Sequence, residues 1–203
     1  LELHHWTEAA QLQLVEGASD VDHSVTYTAR AIGAARSGNA DQVHKEIAQL
    51  EEIQKQLEAN KKKDQGEYKG VSAELTEAKA WLAHAEGHDD EAVRLLRTIA
   101  DEEEGEAESS EGVPAHEMIG DILLEARRPA EALTEYEASL KNDPGRFDSL
   151  YGAAQAASAA GKPEKAKDYY AQVVKNCTGS TSERSELKQA REESEKMARA
   201  SVQ

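Results

Sequence analysis

In the stretch PEKAKDYYAQVV (163–174), Ala166, Tyr170 and Val173 recur at i, i+4 and i+7, with charged or polar residues at most positions between. That is the period of a helix with one apolar face. Before it, SLYGAAQAASAA (149–160) is rich in Ala and suits a helix packed closely on its neighbours. A short Gly turn separates the two. The same plan, a Gly or basic turn followed by a helix carrying a small residue, recurs four times: SGNADQVHKEI, EGHDDEAVRLL, ARRPAEALTEY and AGKPEKAKDYY. The turn markers Gly38, Gly87, Arg127 and Gly161 are separated by 49, 40 and 34 residues. The last spacing is a regular repeat, and the first two are the same unit with longer helices or connections.

Proline punctuates the pattern. Pro129 and Pro163 open helices, where a missing N–H costs nothing. Pro144 follows LKND and closes the preceding helix. Two polar stretches interrupt the array: EANKKKDQGEYKG (58–70), which links the first two pairs, and DEEEGEAESSEGVP (101–114), a solvated acidic loop. The end of the chain predicts a terminal helix with a weak apolar stripe of Leu187, Ala190, Met197 and Ser201, opened by a capping box of Ser180 and Glu183. Ala, Glu, Lys, Leu, Gln and Arg dominate, and there are only 4 Pro. The chain is therefore expected to be all-α.

Within GDILLEARRPAEALTEYEASLKNDP (120–144), Gly120, Ala132, Tyr136 and Pro144 have the spacing of one tetratricopeptide repeat, and 113–176 resembles that family over two repeats. In the second, Ala154 stands in the Gly position, Ala166 and Tyr170 match, and the closing Pro is absent. Taken whole, the chain resembles the C-terminal part of a bacterial protein of this family. The resemblance implies a right-handed superhelical array of antiparallel helix pairs, an α-solenoid. Its expected parts are the second helix of a truncated upstream repeat (1–17), repeats at 21–60, 66–104, 113–146 and 147–178, and a capping helix at 180–203. In the first part, Trp6, Ala10 and Leu14 would share one helix face.

Charge narrows the function. The formal charge is −16, so the basic footprint of a nucleic-acid binder is missing, and an anionic membrane surface would repel the chain. No apolar run reaches the ~18 residues of a membrane span. The chain opens on LELHHWTEAAQL without Met and reads as part of something longer, so compartment stays open. The single Cys177 allows no internal disulfide. No phosphate-cradling Gly loop, nucleophile elbow or dinucleotide fingerprint is found. HEMIGD (116–121) begins like a zinc-protease helix but lacks the second His. His84 and His88 have a metal-compatible i, i+4 spacing, but Gly87 lies between them. Asp89, Asp90 and Glu91 read as a helix opening. The expectation is no metal, no cofactor and no catalysis.

The resemblance implies instead a binding scaffold whose first helices line a groove. Carried over position by position, the groove presents Thr28, Ile32 and Arg36, then Glu77, Trp81 and His84, then Glu117, Asp121 and Glu125, then Tyr151, Gln155 and Ser158. Trp81 and Tyr151 would be anchors, or else packing between repeats. Glu117 and Asp121 stand where the family's carboxylate clamp has Lys and Asn, so a basic or neutral protein or peptide is the expected partner. Self-association, packing on upstream repeats and a role as accessory domain of a larger enzyme are the alternatives.

Overall fold

The computed structural model describes residues 4–59, 64–103 and 112–200. Among them are ten helices and no strands. The contacts divide the chain into two compact units, Leu1–Glu102 and Glu103–Gln203.

The first unit holds α1 (Trp6–Ala9), α2 (Asp20–Arg36), α3 (Ala40–Glu58), α4 (Gln65–Ala85) and α5 (Asp89–Glu103). α2 packs on α3, and both pack on α4. Ala31, Ile32, Val43, Ile47, Leu50, Val71, Leu75 and Ala78 fill the core. The second unit holds α6 (Ala115–Glu125), α7 (Pro129–Asn142), α8 (Phe147–Ala159), α9 (Pro163–Asn176) and α10 (Ser185–Ala200). Each packs on the next, and α6 also touches α8. In both units the first helices of successive pairs thus lie side by side.

The four turn markers share one local geometry. At Gly38, the N–H of Gly38 bonds to Ala35 O and that of Asn39 to Ala34 O. The same pair of bonds recurs at Gly87, Arg127 and Gly161. This is the Schellman closure, which needs a left-handed residue after the helix. The φ values are +78°, +81°, +60° and +70°. Three markers are Gly, which takes this conformation freely; Arg127 carries a Cβ there and bears the strain. Pro129 and Pro163 sit at the starts of α7 and α9.

The repeat-signature residues are interior. Ala132, Ala154 and Ala166 are buried, and Tyr170 packs with Leu150, Tyr151, Val173, Leu187 and Ala190. A Cβ on Gly120 would fall 2.8 Å from the Tyr136 ring. Gly152 of α8 approaches the same ring still more closely, although only Ala154 was assigned a small-residue role from sequence. Both glycines make room for one aromatic side chain.

The ends depart from the sequence expectation. The opening helix is a single turn, Trp6–Ala9; Leu14 lies beyond it and is exposed. Gly33 explains the close docking of that turn: its missing Cβ would fall 2.5 Å from Ala10 N and 2.6 Å from Trp6 O. At the other end, α10 starts at Ser185, and Ser180 accepts from Ser182 N. Hydroxyl side chains capturing nearby N–H groups compete with helix formation there, so Ser180 and Glu183 do not form the expected capping box. Residues 60–63 of the Lys-rich link, 104–111 of the acidic loop, and Ser201 lie outside the described residues.

Candidate functional site

In the first unit the candidate face is made by α2 and α4. Thr28 is buried and donates to Ser24 O, and Ile32 is core. Trp81 is 2% exposed. The Arg36 guanidinium stacks over the Trp81 ring at 4.6 Å and over the Trp6 ring at 4.4 Å. Such cation–π contacts strengthen when water is excluded. Trp81 is thus held inside the first unit and offers no exposed anchor. His84 meets the Trp81 ring edge-on and faces Asp89 Oδ1 at 2.7 Å. Glu77 is half-buried. Glu74, which the groove assignment left out, lies one turn before it. One oxygen of its carboxylate is buried without a hydrogen-bond partner among the described residues. Burial holds the Glu74 carboxyl above its ordinary value, against the lowering effect of its hydrogen bond with Ser24.

In the second unit the face belongs to α6 and α8. Glu117 is 3% exposed. Arg146 donates to both its oxygens, Nε to Oε2 at 2.7 Å and NH2 to Oε1 at 2.9 Å, and the Ser149 hydroxyl donates as well. Ser149 in turn faces the Ser139 hydroxyl at 2.8 Å. The carboxylate expected in the clamp position is therefore enclosed, because Arg146, 29 residues downstream at the N-cap of α8, folds over it. Asp121 accepts a 2.6 Å bond from the Tyr136 hydroxyl. Glu125 and Ser158 are exposed.

Tyr151 is likewise covered. It is 7% exposed, stacks against Phe147 and meets Tyr170 edge-on. Its hydroxyl donates to Gln189 of α10 at 2.6 Å and accepts from Gln155 at 3.1 Å. Burial, with the neighbouring Tyr170 and Glu186, pushes its phenol up to about 12. Arg184 pins the start of α10 by bonding Asp148 at 2.6 Å and stacking over Phe147 at 4.3 Å. The terminal helix thus covers Tyr151, one of the two aromatic rings that sequence reading offered as anchors.

Of the groove candidates other than Arg36, those that keep some exposure are polar or acidic: Glu77 and His84 in the first unit, Asp121, Glu125, Gln155 and Ser158 in the second. The other titratable candidates have local partners. His116 and Glu135 are both buried and 2.8 Å apart, joining α6 to α7. The Gly87 turn separates His84 from His88. Cys177 packs half-buried beside the core of α8, α9 and α10. Among the described residues, no group of three His, Cys, Asp or Glu side chains could hold a metal ion, and no helix is long and apolar enough to cross a membrane.

Comparison with known proteins agrees with the two central pairs of the second unit. A tetratricopeptide repeat family model matches residues 117–181, which run from the first turn of α6 past the end of α9. No curated protein matches the chain.

Proposed function

For a chain that carries tetratricopeptide repeats over residues 117–181, we propose a non-catalytic scaffold that binds a basic protein or peptide segment along the first helices of its pairs. Tetratricopeptide repeats generally mediate protein–protein interaction, and the family is typically non-catalytic. The observation that carries the finer reading is the acidic edge of α4. Glu74 and Glu77 lie on it, and Glu74 holds a desolvated carboxyl that a cation would relieve. Asp121 and Glu125 give α6 the same sign. The formal charge of −16 adds long-range attraction for a basic segment.

A peptide array of random sequences probed with the full chain tests this. Bound peptides should be enriched in Lys and Arg, and binding should weaken with salt. Glu77→Lys and Glu125→Lys, both away from the core, should remove the enrichment. Bound peptides without a basic bias, or unaffected by both reversals, would sink the proposal.

A further inference from the structure

Glu74 of α4 meets Ser24 of α2 in the seam where these two helices pack. Ser24 is 1% exposed. The seam holds too few hydrogens for a carboxylate. Oε2 of Glu74 is buried and has no hydrogen-bond partner among the described residues. Ser24 has a single hydroxyl hydrogen, and Val21 O takes it at 2.6 Å. A neutral Glu74 fits this arrangement, because its own O–H can donate to Ser24 Oγ while Ser24 keeps its bond to Val21 O. An ionised Glu74 does not fit. Ser24 would have to leave Val21 O to serve it, and Oε2 would still lack a donor in a desolvated place.

Among the described residues no cation acts on this carboxyl: burial raises it, and Ser24 alone opposes that. On α4 its neighbour along the same face is Glu77, one turn further on. On α2, Asp20, His23 and Tyr27 flank Ser24, and His23 Nε2 lies 3.0 Å from Val15 O. On α3, Glu51 pairs with Lys79 of α4 at 2.8 Å. Outside the seam there is room. Gly70 stands one turn before Glu74 and is exposed, and a Cβ there would meet nothing within 4 Å. A helical side chain covers the turn on its N-terminal side, so the open surface at Gly70 is the place for an outward Glu74.

From this geometry we infer that Glu74 is a proton-linked receptor for a lysine side chain of the bound segment: turned into the α2–α4 seam it keeps its proton, and turned out over Gly70 it loses the proton and pairs with the ammonium. The proton passes to water, and the lysine keeps its own. This coupling rests on the reading of the face as a site for a basic segment, and it adds a regulator to that site. Each lysine seated on Glu74 costs the chain one proton. Binding therefore weakens as pH falls toward the ordinary carboxylate value and strengthens as pH rises through the raised one.

The test compares the full chain with its Glu74→Gln variant, using dye-labelled octalysine as the probe. Anisotropy gives the affinity from about pH 5 to pH 7, where ordinary carboxylates are ionised. Calorimetry in two buffers of different ionisation heat counts the protons released. Histidines contribute alike to both chains, so the difference belongs to Glu74. Gln keeps the volume and offers Ser24 Oγ an N–H, and the variant should keep its helical circular dichroism. Wild type should release up to about one proton more than Glu74→Gln, and its affinity should rise more steeply with pH, by up to about tenfold per pH unit. Equal proton release and equal pH slopes in the two chains overturn the coupling, while octalysine binding leaves the wider reading in place. Octalysine that fails to bind wild type across the range removes the wider reading, and the coupling falls with it.

Discussion

The ring of Tyr136 on α7 occupies the space that a Cβ on Gly152 of α8 would need. The hydroxyl of that ring is tied to Asp121 on α6, and the side chain is 1% exposed. One aromatic residue therefore sets the spacing of three helices across two repeats. It cannot swing aside without breaking its hydrogen bond to Asp121.

Gly152→Ala should accordingly destabilise the second unit by about 1–3 kcal/mol through overpacking, despite the higher helix propensity of Ala. Gly66→Ala in α4 meets nothing within 4 Å and should stabilise by roughly 0.5–1 kcal/mol. Urea denaturation followed by circular dichroism separates the two. Equal effects at both positions would mean that the ring gives way.

Arg127 closes α6 at φ +60° where the other three turns use Gly. Arg127→Gly should relieve about 1 kcal/mol of left-handed strain. The reverse change at an equivalent turn, Gly161→Ala at φ +70°, should cost a similar amount. Both are read from denaturation midpoints, and a destabilising Arg127→Gly would contradict the strain argument.

Arg146 and Glu117 form a two-pronged pair inside the second unit, with side-chain exposures of 15% and 4%. Arg146→Ala leaves the carboxylate enclosed without its cation and should cost about 3 kcal/mol. The double variant Arg146→Met/Glu117→Gln should recover much of that loss, since Gln keeps an acceptor for Ser149. A double-mutant cycle measures the coupling. A loss in Arg146→Ala that high salt changes strongly would point to an exposed pair instead.

Glu74 makes stability depend on pH. Its carboxyl is raised by burial in the folded state, so the folded chain holds this proton to higher pH than the unfolded chain does. Stability therefore falls as pH rises from the ordinary carboxylate value through the raised one, and the loss is complete above it. Glu74→Gln should raise the denaturation midpoint at pH 7, with the advantage disappearing below about pH 4, where the unfolded carboxyl is protonated too. A pH-independent difference between the two chains would assign the effect to packing.

Much of the fold was legible because its signals are local. The turn markers Gly38, Gly87, Arg127 and Gly161 are four copies of one backbone closure, decided within six residues. Pro129 and Pro163 mark helix starts for an equally local reason. The face periodicity of Ala166, Tyr170 and Val173 was enough to identify their burial. The candidate groove was less legible. Its position on the first helices follows from repeat spacing, but access to each side chain depends on residues far along the chain. Trp81 is covered by Arg36, Glu117 by Arg146, and Tyr151 by Gln189 and Leu187. Glu74 was passed over because desolvation leaves no mark in a sequence.

By itself the sequence determined the helical period, the turn chemistry, the repeat spacing and the acidic character of the chain. Each depends on a few neighbouring residues or on composition alone. Only the tertiary structure decided that the Trp81 and Tyr151 rings are core, that Gly152 as well as Gly120 yields to Tyr136, and that Gln42 and Arg30 hold the Ala10 and Leu12 carbonyls. The reason is that burial and pairing are properties of contacts between segments brought together by folding. A Trp, a Glu or an exposed Leu has the same local pattern whether or not such a segment reaches it.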